Sequence, residues 1–210
     1  MDVKWSSNFA YALGLLATDG YVSKDGRHIV LVSKDKDQLE NFNLALKISN
    51  PIARHHSGSG GVSFRCQFSD VYFHGFLQGV GITNAKSKTI KSVKVPDEYF
   101  FDFLRGCFDG DGYVYSYWDK RWRSSFMFYL GFASASLNFI NWIRSELAKR
   151  LEVKGHITKS KGKSCYQLKY AKKESTLVLK TMYHKKGAIS LRRKKLKVDK
   201  IFAMVTGKTV

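Results

Sequence analysis

The segment Ala12-Leu-Gly-Leu-Leu-Ala-Thr-Asp-Gly-Tyr-Val22 recurs later in the chain as Leu104-Arg-Gly-Cys-Phe-Asp-Gly-Asp-Gly-Tyr-Val114. Each copy is followed by the same order of patterns: two strand-like runs, a helical run, two further strand-like runs and a second helical run. Such a repeat indicates two similar structural units, although gene duplication alone would explain it without a shared site. With the motif helix at its start, each half has the predicted order αββαββα.

The predicted elements divide the chain into two halves and a connector. In the first half we expect strands at 21–24, 28–33, 52–55 and 62–68, and helices that begin near Asp37 and Asp70. Asp37 and Glu40 form the D-x-x-E pattern that is typical of a capping box. In the second half we expect strands at 113–118, 125–132, 155–159 and 164–170, and helices at 137–151, 175–184 and 191–205. The lysine-rich stretch 86–98 is interpreted as a connector between a first half at 1–85 and a second half at 99–210.

The chain carries a large positive charge. Its 210 residues include 36 Lys and Arg against 17 Asp and Glu, which gives a formal net charge of +19. Because an excess of this size disfavours a compact fold unless a polyanion neutralises it, nucleic acid is the first partner to expect. The charge excludes an acidic solvating tail, and a hydrophobic content of 44% is that of a folded protein and not of a disordered one.

Two other classes of protein fit the sequence less well. An anionic membrane surface is a weaker partner, because no apolar run approaches the roughly 18 residues of a spanning helix and the basic residues are interleaved with strand patterns. Cys66, Cys107 and Cys165 form no close pair. Their spacing excludes a zinc ribbon or a disulfide framework and indicates a reducing compartment. The expected location is intracellular, in a mitochondrion or chloroplast or in the cytoplasm of a prokaryote, and the sequence leaves this choice open.

Gly14 and Gly106 occupy the same position in the two copies of the repeated segment. A glycine inside a helix costs about 1 kcal/mol relative to alanine, so a compensating role is expected. Close approach of two helix backbones provides one, because a missing Cβ lets one helix lie directly on the other. Two such helices, packed side by side in the same direction, bring Asp19 and Asp111 together at their C-terminal ends.

This position makes the two aspartates candidates for metal binding. Helix C-termini carry a partial negative charge, so two carboxylates there repel each other and the helix dipoles unless a cation lies between them. Mg²⁺ suits such a site because it accepts a few carboxylate oxygens, keeps several waters and takes its remaining ligands from phosphate. The alternative is that Asp19 and Asp111 are ordinary turn residues ahead of Gly20 and Gly112.

The two segments resemble the paired motif of LAGLIDADG homing endonucleases, and the repeated order of elements is similar to that of the single-chain members over about residues 8–205. The resemblance implies an α+β fold of two pseudo-symmetric αββαββα halves. Each half is expected to be a curved antiparallel sheet with helices on one face, and the motif helices are expected to pack at the interface. It places the essential acids at Asp19 and Asp111 and implies that the carbonyls of Thr18 and Gly110 help to bind metal. The first motif departs from the pattern by carrying Ala17 where an acid is common.

The same resemblance implies basic residues near the scissile phosphates, after the last helix of each half. The segments 82–88 and 189–195 correspond, and Lys88 and Lys195 are the residues that we predict in this role. A lysine there could orient an attacking water or stabilise charge on the phosphorane oxygens. Phosphate anchoring by a basic run is an equally consistent interpretation.

Sequence recognition is expected from the sheets, because strands place alternate side chains on opposite faces and one face can enter the major groove. Which member of each alternating pair faces DNA is left open by the sequence. The candidates in the first half are Ser23, Arg27, Lys34, Arg54, Arg65 and Gln67. Those in the second half are Tyr115, Tyr117, Arg121, Arg123, Lys159, Lys161, Lys163, Gln167 and Lys169.

The sequence therefore predicts a monomeric, intron-encoded homing endonuclease that hydrolyses double-stranded DNA at a long asymmetric target. Mg²⁺ is the expected cofactor, with Mn²⁺ as a substitute and Ca²⁺ supporting binding without efficient cleavage. The alternative is an intron-RNA maturase or a non-catalytic DNA-binding protein on the same fold. Retention of both Asp19 and Asp111 argues against a protein that only binds.

Overall fold

The chain folds into two halves with the same order of elements, and a computed structural model describes residues 3–56, 61–122, 124–160, 162 and 164–207. The first half comprises α1 (Ser7–Thr18), β1 (Gly20–Val22), β2 (His28–Ser33), α2 (Lys36–Leu46), β3 (Ile52–His56), β4 (Val62–Ser69) and α3 (Val71–Val80). A short helix α4 (Lys86–Thr89) and a 3-10 turn (Asp97–Tyr99) follow. The second half comprises α5 (Phe100–Asp111), β5 (Gly112–Trp118), β6 (Phe126–Ser134), α6 (Leu137–Leu151), β7 (His156–Lys159), β8 (Tyr166–Tyr170), α7 (Lys172–Met182) and α8 (Arg192–Thr206).

Each half contains one four-stranded antiparallel sheet. The strand orders are β1-β2-β4-β3 and β5-β6-β8-β7, so the two sheets have equivalent topologies. Alternate residues of the central strands, such as Leu31 and Cys66 in the first sheet and Leu130 and Leu168 in the second, are fully buried. The predicted α+β fold with two pseudo-symmetric αββαββα halves is therefore confirmed.

The two motif helices, α1 and α5, meet at their glycines. A Cβ atom on Gly14 would lie 2.2 Å from the carbonyl oxygen of Phe103, and one on Gly106 would lie 2.1 Å from that of Tyr11. Neither glycine can carry a side chain without a shift of the opposite backbone. The predicted packing of the motif helices at the interface is confirmed, and it places the ends of both helices next to each other.

Two helix starts differ from the sequence prediction. The N-cap of α2 is Asp35 and not Asp37, and its side chain makes no capping bond. The Asp35 carboxylate instead accepts a hydrogen bond at 2.8 Å from Nε of Arg193, which lies in α8. Helix α7 begins before the predicted Ser175, whose hydroxyl is buried in the helix and accepts from the Leu130 amide at 2.9 Å.

The stretch interpreted as a connector is partly structured, since α4 lies within it and buries Lys86. Ala85, which precedes α4, has a left-handed backbone with φ 52° and turns the chain toward the end of α1. In the described residues, no helix combines the length and the apolarity that crossing a membrane would require.

Candidate active site

Asp19 and Asp111 lie at the adjoining C-terminal ends of the two motif helices. Asp19 is the C-cap of α1, and Asp111 is the last residue of α5. Gly110 packs against the first helix so closely that a Cβ atom on it would lie 2.0 Å from Thr18 Oγ1 and 3.3 Å from Asp19 Oδ2. The structure therefore brings together the two acids that the repeat suggested.

Both carboxylates are in an environment that disfavours their charge. The pKa of Asp19 is raised to about 6, first because the group loses water and second because the negative charge of Asp111 is near. Gln38 opposes this shift, since its Nε2 donates to Asp19 Oδ2 at 2.8 Å. The pKa of Asp111 is also raised by desolvation, although the residue keeps contact with solvent. A cation between the two acids would relieve this repulsion.

Two buried lysines supply part of that positive charge. Lys86 is 4% exposed, and its Nζ donates to the carbonyl oxygens of Thr18 at 3.1 Å and Gly20 at 2.6 Å. Lys194 is 8% exposed, and its Nζ donates to the carbonyl oxygens of Gly110 at 2.8 Å and Gly112 at 2.6 Å. Each ammonium group thus satisfies carbonyls at the end of one motif helix.

The lysines and the acids form one electrostatic cluster. Burial lowers the pKa of Lys86 and of Lys194 to about 8, while the charges of Asp19 and Asp111 act in the opposite direction. Each lysine thus remains mostly charged near neutral pH because the acids are close. The end of each motif helix thus combines one acid with one lysine, which comes from α4 in the first case and from α8 in the second.

The structure buries a different pair of lysines from the pair that the sequence predicted. Lys88 is exposed on α4, and Lys195 pairs with Asp199 one helical turn along α8, with its Nζ 5.2 Å from the ring centroid of Tyr183. Lys86 and Lys194 lie beside the acids in their place. Each belongs to the same basic run as the predicted lysine, and only the tertiary packing selects which member of the run is buried.

The residues present fit a magnesium ion held by few protein ligands. In the part of the chain that the structure describes, no three or more His, Cys, Asp or Glu side chains cluster as a metal site. The fit rests on two repelling carboxylates beside the carbonyls of Thr18 and Gly110. Those carbonyls already accept from lysine, but a carbonyl oxygen has two lone pairs and can accept a second partner. Such a site needs waters or phosphate oxygens to complete the shell of Mg²⁺.

A buried polar network fixes the position of Lys194. The Oδ2 atom of Asp109 accepts from the hydroxyl of Tyr11 at 2.8 Å and from the backbone amide of Leu191 at 2.6 Å. Arg105, which is fully buried, donates to the carbonyl oxygen of Ile189 at 2.9 Å. The second motif helix therefore holds the segment that leads into α8. Gln38, Asp109 and Arg105 are not among the site residues predicted from the sequence, because each lies in a segment that also matches a capping or motif pattern.

The strand registers decide which candidate DNA-contacting residues share the open face of each sheet. Gln67 pairs with Val30, and Lys169 pairs with Gly131. These positions alternate with the buried positions, so their side chains belong to the face away from the helices. The candidates that lie on open faces are Arg65, Gln67, Tyr115, Tyr117, Gln167 and Lys169.

The other candidates are placed differently. Arg54 pairs with Phe64 and Lys159 pairs with Tyr166, which assigns both to the helix-side face at an edge strand. Ser23 is buried, and its hydroxyl accepts from the amide of His28 at 3.1 Å. These three candidates therefore do not lie on the open faces.

The remaining candidates lie in turns or outside the described residues. Arg27 and Arg121 are exposed next to Asp25 and Asp119, at 3.8 and 3.1 Å. Lys34 is exposed and lines a cleft of about 340 Å³ that also contains Asp19, Gln38 and Arg193. Arg123, Lys161 and Lys163 lie outside the described residues.

Comparison with known proteins agrees with this architecture. Residues 98–182 match the family model described as a LAGLIDADG-like domain. No curated protein matches the chain. Full-length DUF199/WhiA from Thermatoga maritima is similar in structure, with a TM-score of 0.62 and 15% identity over 100% of this chain and 64% of that one. The chain thus spans less than two thirds of that relative.

Two homing endonucleases on DNA are also similar in structure. The LAGLIDADG homing endonuclease I-LtrWI bound to target DNA has a TM-score of 0.57 and 14% identity, over 95% of this chain and 91% of that one. The meganuclease I-SmaMI bound to uncleavable DNA has a TM-score of 0.58 and 13% identity, over 97% of this chain and 99% of that one. At these identities the comparisons establish the fold.

Proposed function

We propose that this chain, a two-motif protein of the LAGLIDADG family, is a site-specific endonuclease that hydrolyses one phosphodiester in each strand of double-stranded DNA. The observation that carries the proposal is the paired arrangement of acids and lysines at the ends of α1 and α5. A duplex has two strands related by an approximate two-fold axis, and the cluster has the same symmetry. The net charge of +19 supports a polyanionic substrate.

In this proposal Asp19 and Asp111 hold the catalytic metal, with help from the carbonyls of Thr18 and Gly110. Bound Mg²⁺ would act as a Lewis acid on phosphate oxygens and lower the pKa of a bound water. Mn²⁺ is a suitable substitute, whereas the larger Ca²⁺ is expected to support DNA binding and poor hydrolysis. The amide of Gln38 fixes the orientation of the Asp19 carboxylate through its hydrogen bond to Oδ2.

Lys86 and Lys194 are the basic residues of the proposed site. Each ammonium group lies at the end of a motif helix and carries positive charge where a scissile phosphate would approach the acids. Such a donor stabilises the negative charge that gathers on phosphate oxygens in the transition state. Because burial lowers the pKa of each lysine to about 8, each can also exchange a proton with water near neutral pH.

A protein that binds nucleic acid without cutting it is the second candidate. The observation in its favour is that Lys86 and Lys194 already neutralise the acids and engage the carbonyl oxygens proposed as metal ligands. The fold alone does not decide the matter, since WhiA has it as well as the homing endonucleases. In this case the partner is duplex DNA or intron RNA, and the metal is unnecessary.

Single-turnover cleavage and binding of the Asp19→Asn and Asp111→Asn variants separate the two functions. Asn keeps the size of the side chain and removes the charge that holds Mg²⁺, so cleavage of a selected duplex should collapse while binding survives. Because the two acids share one cluster, each variant should lose both cuts and not become a clean nickase. Cleavage at the wild-type rate by both variants would exclude this active site, and a wild-type protein that binds but never cuts with Mg²⁺ would establish the second candidate.

A further inference from the structure

The open face of the second sheet carries four tyrosines with nearly parallel rings. Tyr115 and Tyr129 face each other across β5 and β6, with ring centroids 5.0 Å apart and planes 12° from parallel. The ring centroid of Tyr117 lies 6.3 Å from that of Tyr129, and the ring centroid of Tyr113 lies 6.2 Å from that of Tyr115. We refer to these four residues, Tyr113, Tyr115, Tyr117 and Tyr129, as the tyrosine array.

Contacts with the backbone of β6 and with side chains at both ends hold the tyrosine array in place. A Cβ atom on Gly131 would lie 2.2 Å from the ring of Tyr113, so the ring rests directly on the backbone of β6. The hydroxyl of Tyr113 donates to Gln167 Oε1 at 3.0 Å, and Gln167 Nε2 donates to Ser160 Oγ at 3.2 Å. At the other end, the ring of Tyr117 stacks on that of Tyr115, with centroids 6.5 Å apart and planes 11° from parallel.

This packing limits how the rings can meet a nucleic acid. Because Tyr115 and Tyr129 cover one another, a base cannot insert between them without breaking the pair. Tyr115 and Tyr117 are nevertheless 38% and 44% exposed, so part of each side chain remains accessible beside the stacked rings. Edges of aromatic rings make apolar contacts, which a methyl group can fill.

The strands of the two open faces differ in chemistry. In the first sheet β4 presents Arg65 and Gln67, and in the second sheet its counterpart β8 presents Gln167 and Lys169, which are side chains able to form hydrogen bonds with base edges. In the second sheet, the open-face positions of β5 and β6 carry no charged side chain, and they are Tyr113, Tyr115, Tyr117, Met127, Tyr129, Gly131 and Ala133. A two-stranded ribbon fits the major groove, where thymine alone presents a methyl group.

We propose that the tyrosine array reads thymine methyl groups in the major groove of one half of the DNA target. The positions that β5 and β6 contact are then rich in A·T pairs, while β4 and β8 read other positions by hydrogen bonds. The inference rests on the proposed function only in requiring sequence-specific binding to duplex DNA, and it does not require cleavage.

The test begins with duplexes selected by the wild-type protein from a randomised library. Each thymine of the selected duplex is replaced in turn by deoxyuridine, which removes the methyl group and keeps the hydrogen bonds of the base. Competition binding is then measured for the wild type, for Tyr115→Ser/Tyr117→Ser and for Tyr115→Phe/Tyr117→Phe. Tyr72→Ser is the matched control, because Tyr72 is 71% exposed on α3 and belongs to neither sheet.

We expect the wild type to lose roughly fourfold in affinity for each contacted methyl group that is removed. The double Ser variant should be insensitive at those same thymines, whereas the double Phe variant, which keeps the ring edges, should remain sensitive. The Tyr72→Ser protein should match the wild type. If the double Ser variant melts early, Tyr117→Ser alone replaces it in the comparison.

Two results would overturn the inference while leaving the proposed function intact. One is a selected sequence at which every deoxyuridine is neutral, and the other is undiminished sensitivity in a folded Ser variant. Failure to enrich any sequence would overturn both the inference and site-specific recognition.

Discussion

Gly14 lies directly against Gly106, so that a Cβ atom on Gly14 would be 2.8 Å from the Cα atom of its counterpart. The contact is between backbones and not between side chains. It sets the spacing of α1 and α5, and through that spacing it sets the separation of the acids at their ends.

Replacing Gly106 by alanine should therefore destabilise the protein strongly. The new methyl group would lie 2.1 Å from the carbonyl oxygen of Tyr11, and helix backbones cannot move apart without opening the core. We expect a loss of about 3 kcal/mol or more in the free energy of unfolding, measured by urea denaturation. Gly75→Ala in α3 is the control, since nothing lies within 4 Å of its Cβ position and the change should be neutral or stabilising. Equal stability of the two variants would contradict the close packing.

Asp19→Asn should stabilise the protein at neutral pH. The folded-state pKa of Asp19 is about 6, above the usual value of 3.8, so between these values the unfolded chain holds fewer protons and stability falls as pH rises. The penalty is complete above about pH 6 and absent below about pH 4. We expect the variant to gain about 1–3 kcal/mol at pH 7.5 and to lose this advantage toward pH 4. Thermal melts across this range measure it, and a gain that is independent of pH would contradict the assignment.

Substitution of the buried lysines can be compared with substitution of Lys88 and Lys195, which belong to the same basic segments. Lys86→Met and Lys194→Met should slow single-turnover cleavage by roughly 10 to 1,000-fold, which corresponds to about 1.4 to 4 kcal/mol, and should change DNA binding much less. Lys88→Met and Lys195→Met should cleave near the wild-type rate, because the Lys88 side chain is exposed and that of Lys195 pairs with Asp199. The reverse order of effects would restore the pair predicted from the sequence.

Binding to DNA should depend steeply on salt. Each phosphate that Lys or Arg neutralises releases condensed counterions and adds about 0.9 to the slope of log affinity against log salt concentration. We expect a single protein molecule on each duplex, because one chain already supplies both halves. Titrations at several salt concentrations, combined with sedimentation of the complex, measure both properties. A dimer on the duplex or a flat salt response would be inconsistent with this mode of binding.

The sequence was sufficient to predict the fold because its signals are local. The patterns that predict single strands and helices depend on neighbouring residues, and helix α6 has the predicted bounds Leu137–Leu151. The paired glycines added one long-range contact, since a missing Cβ in both copies of a helix implies that the two copies touch.

The site was predictable only in part because burial depends on the whole fold. Lys86 and Lys88 are two residues apart in one basic run, and nothing local shows that the first is buried while the second is exposed. Gln38 lies next to Asp37 in a pattern that also suits a helix cap, so its contact with Asp19 required the packing of α2. Strand alternation alone does not show on which face of the sheet Arg54 lies. That assignment requires its register with Phe64.

Among the described residues the two sheets share no strand, and the halves meet through the packing of α1 against α5 and through bonds such as that of Arg193 to Asp35. An open-face position of one sheet therefore lies on a strand that is hydrogen-bonded to no strand of the other sheet. Substitutions that change DNA recognition can therefore arise in one half while the acids at the ends of the motif helices stay the same. For engineering, this makes the chain modular: the face of one sheet can be rebuilt for a new half-site without redesigning its counterpart.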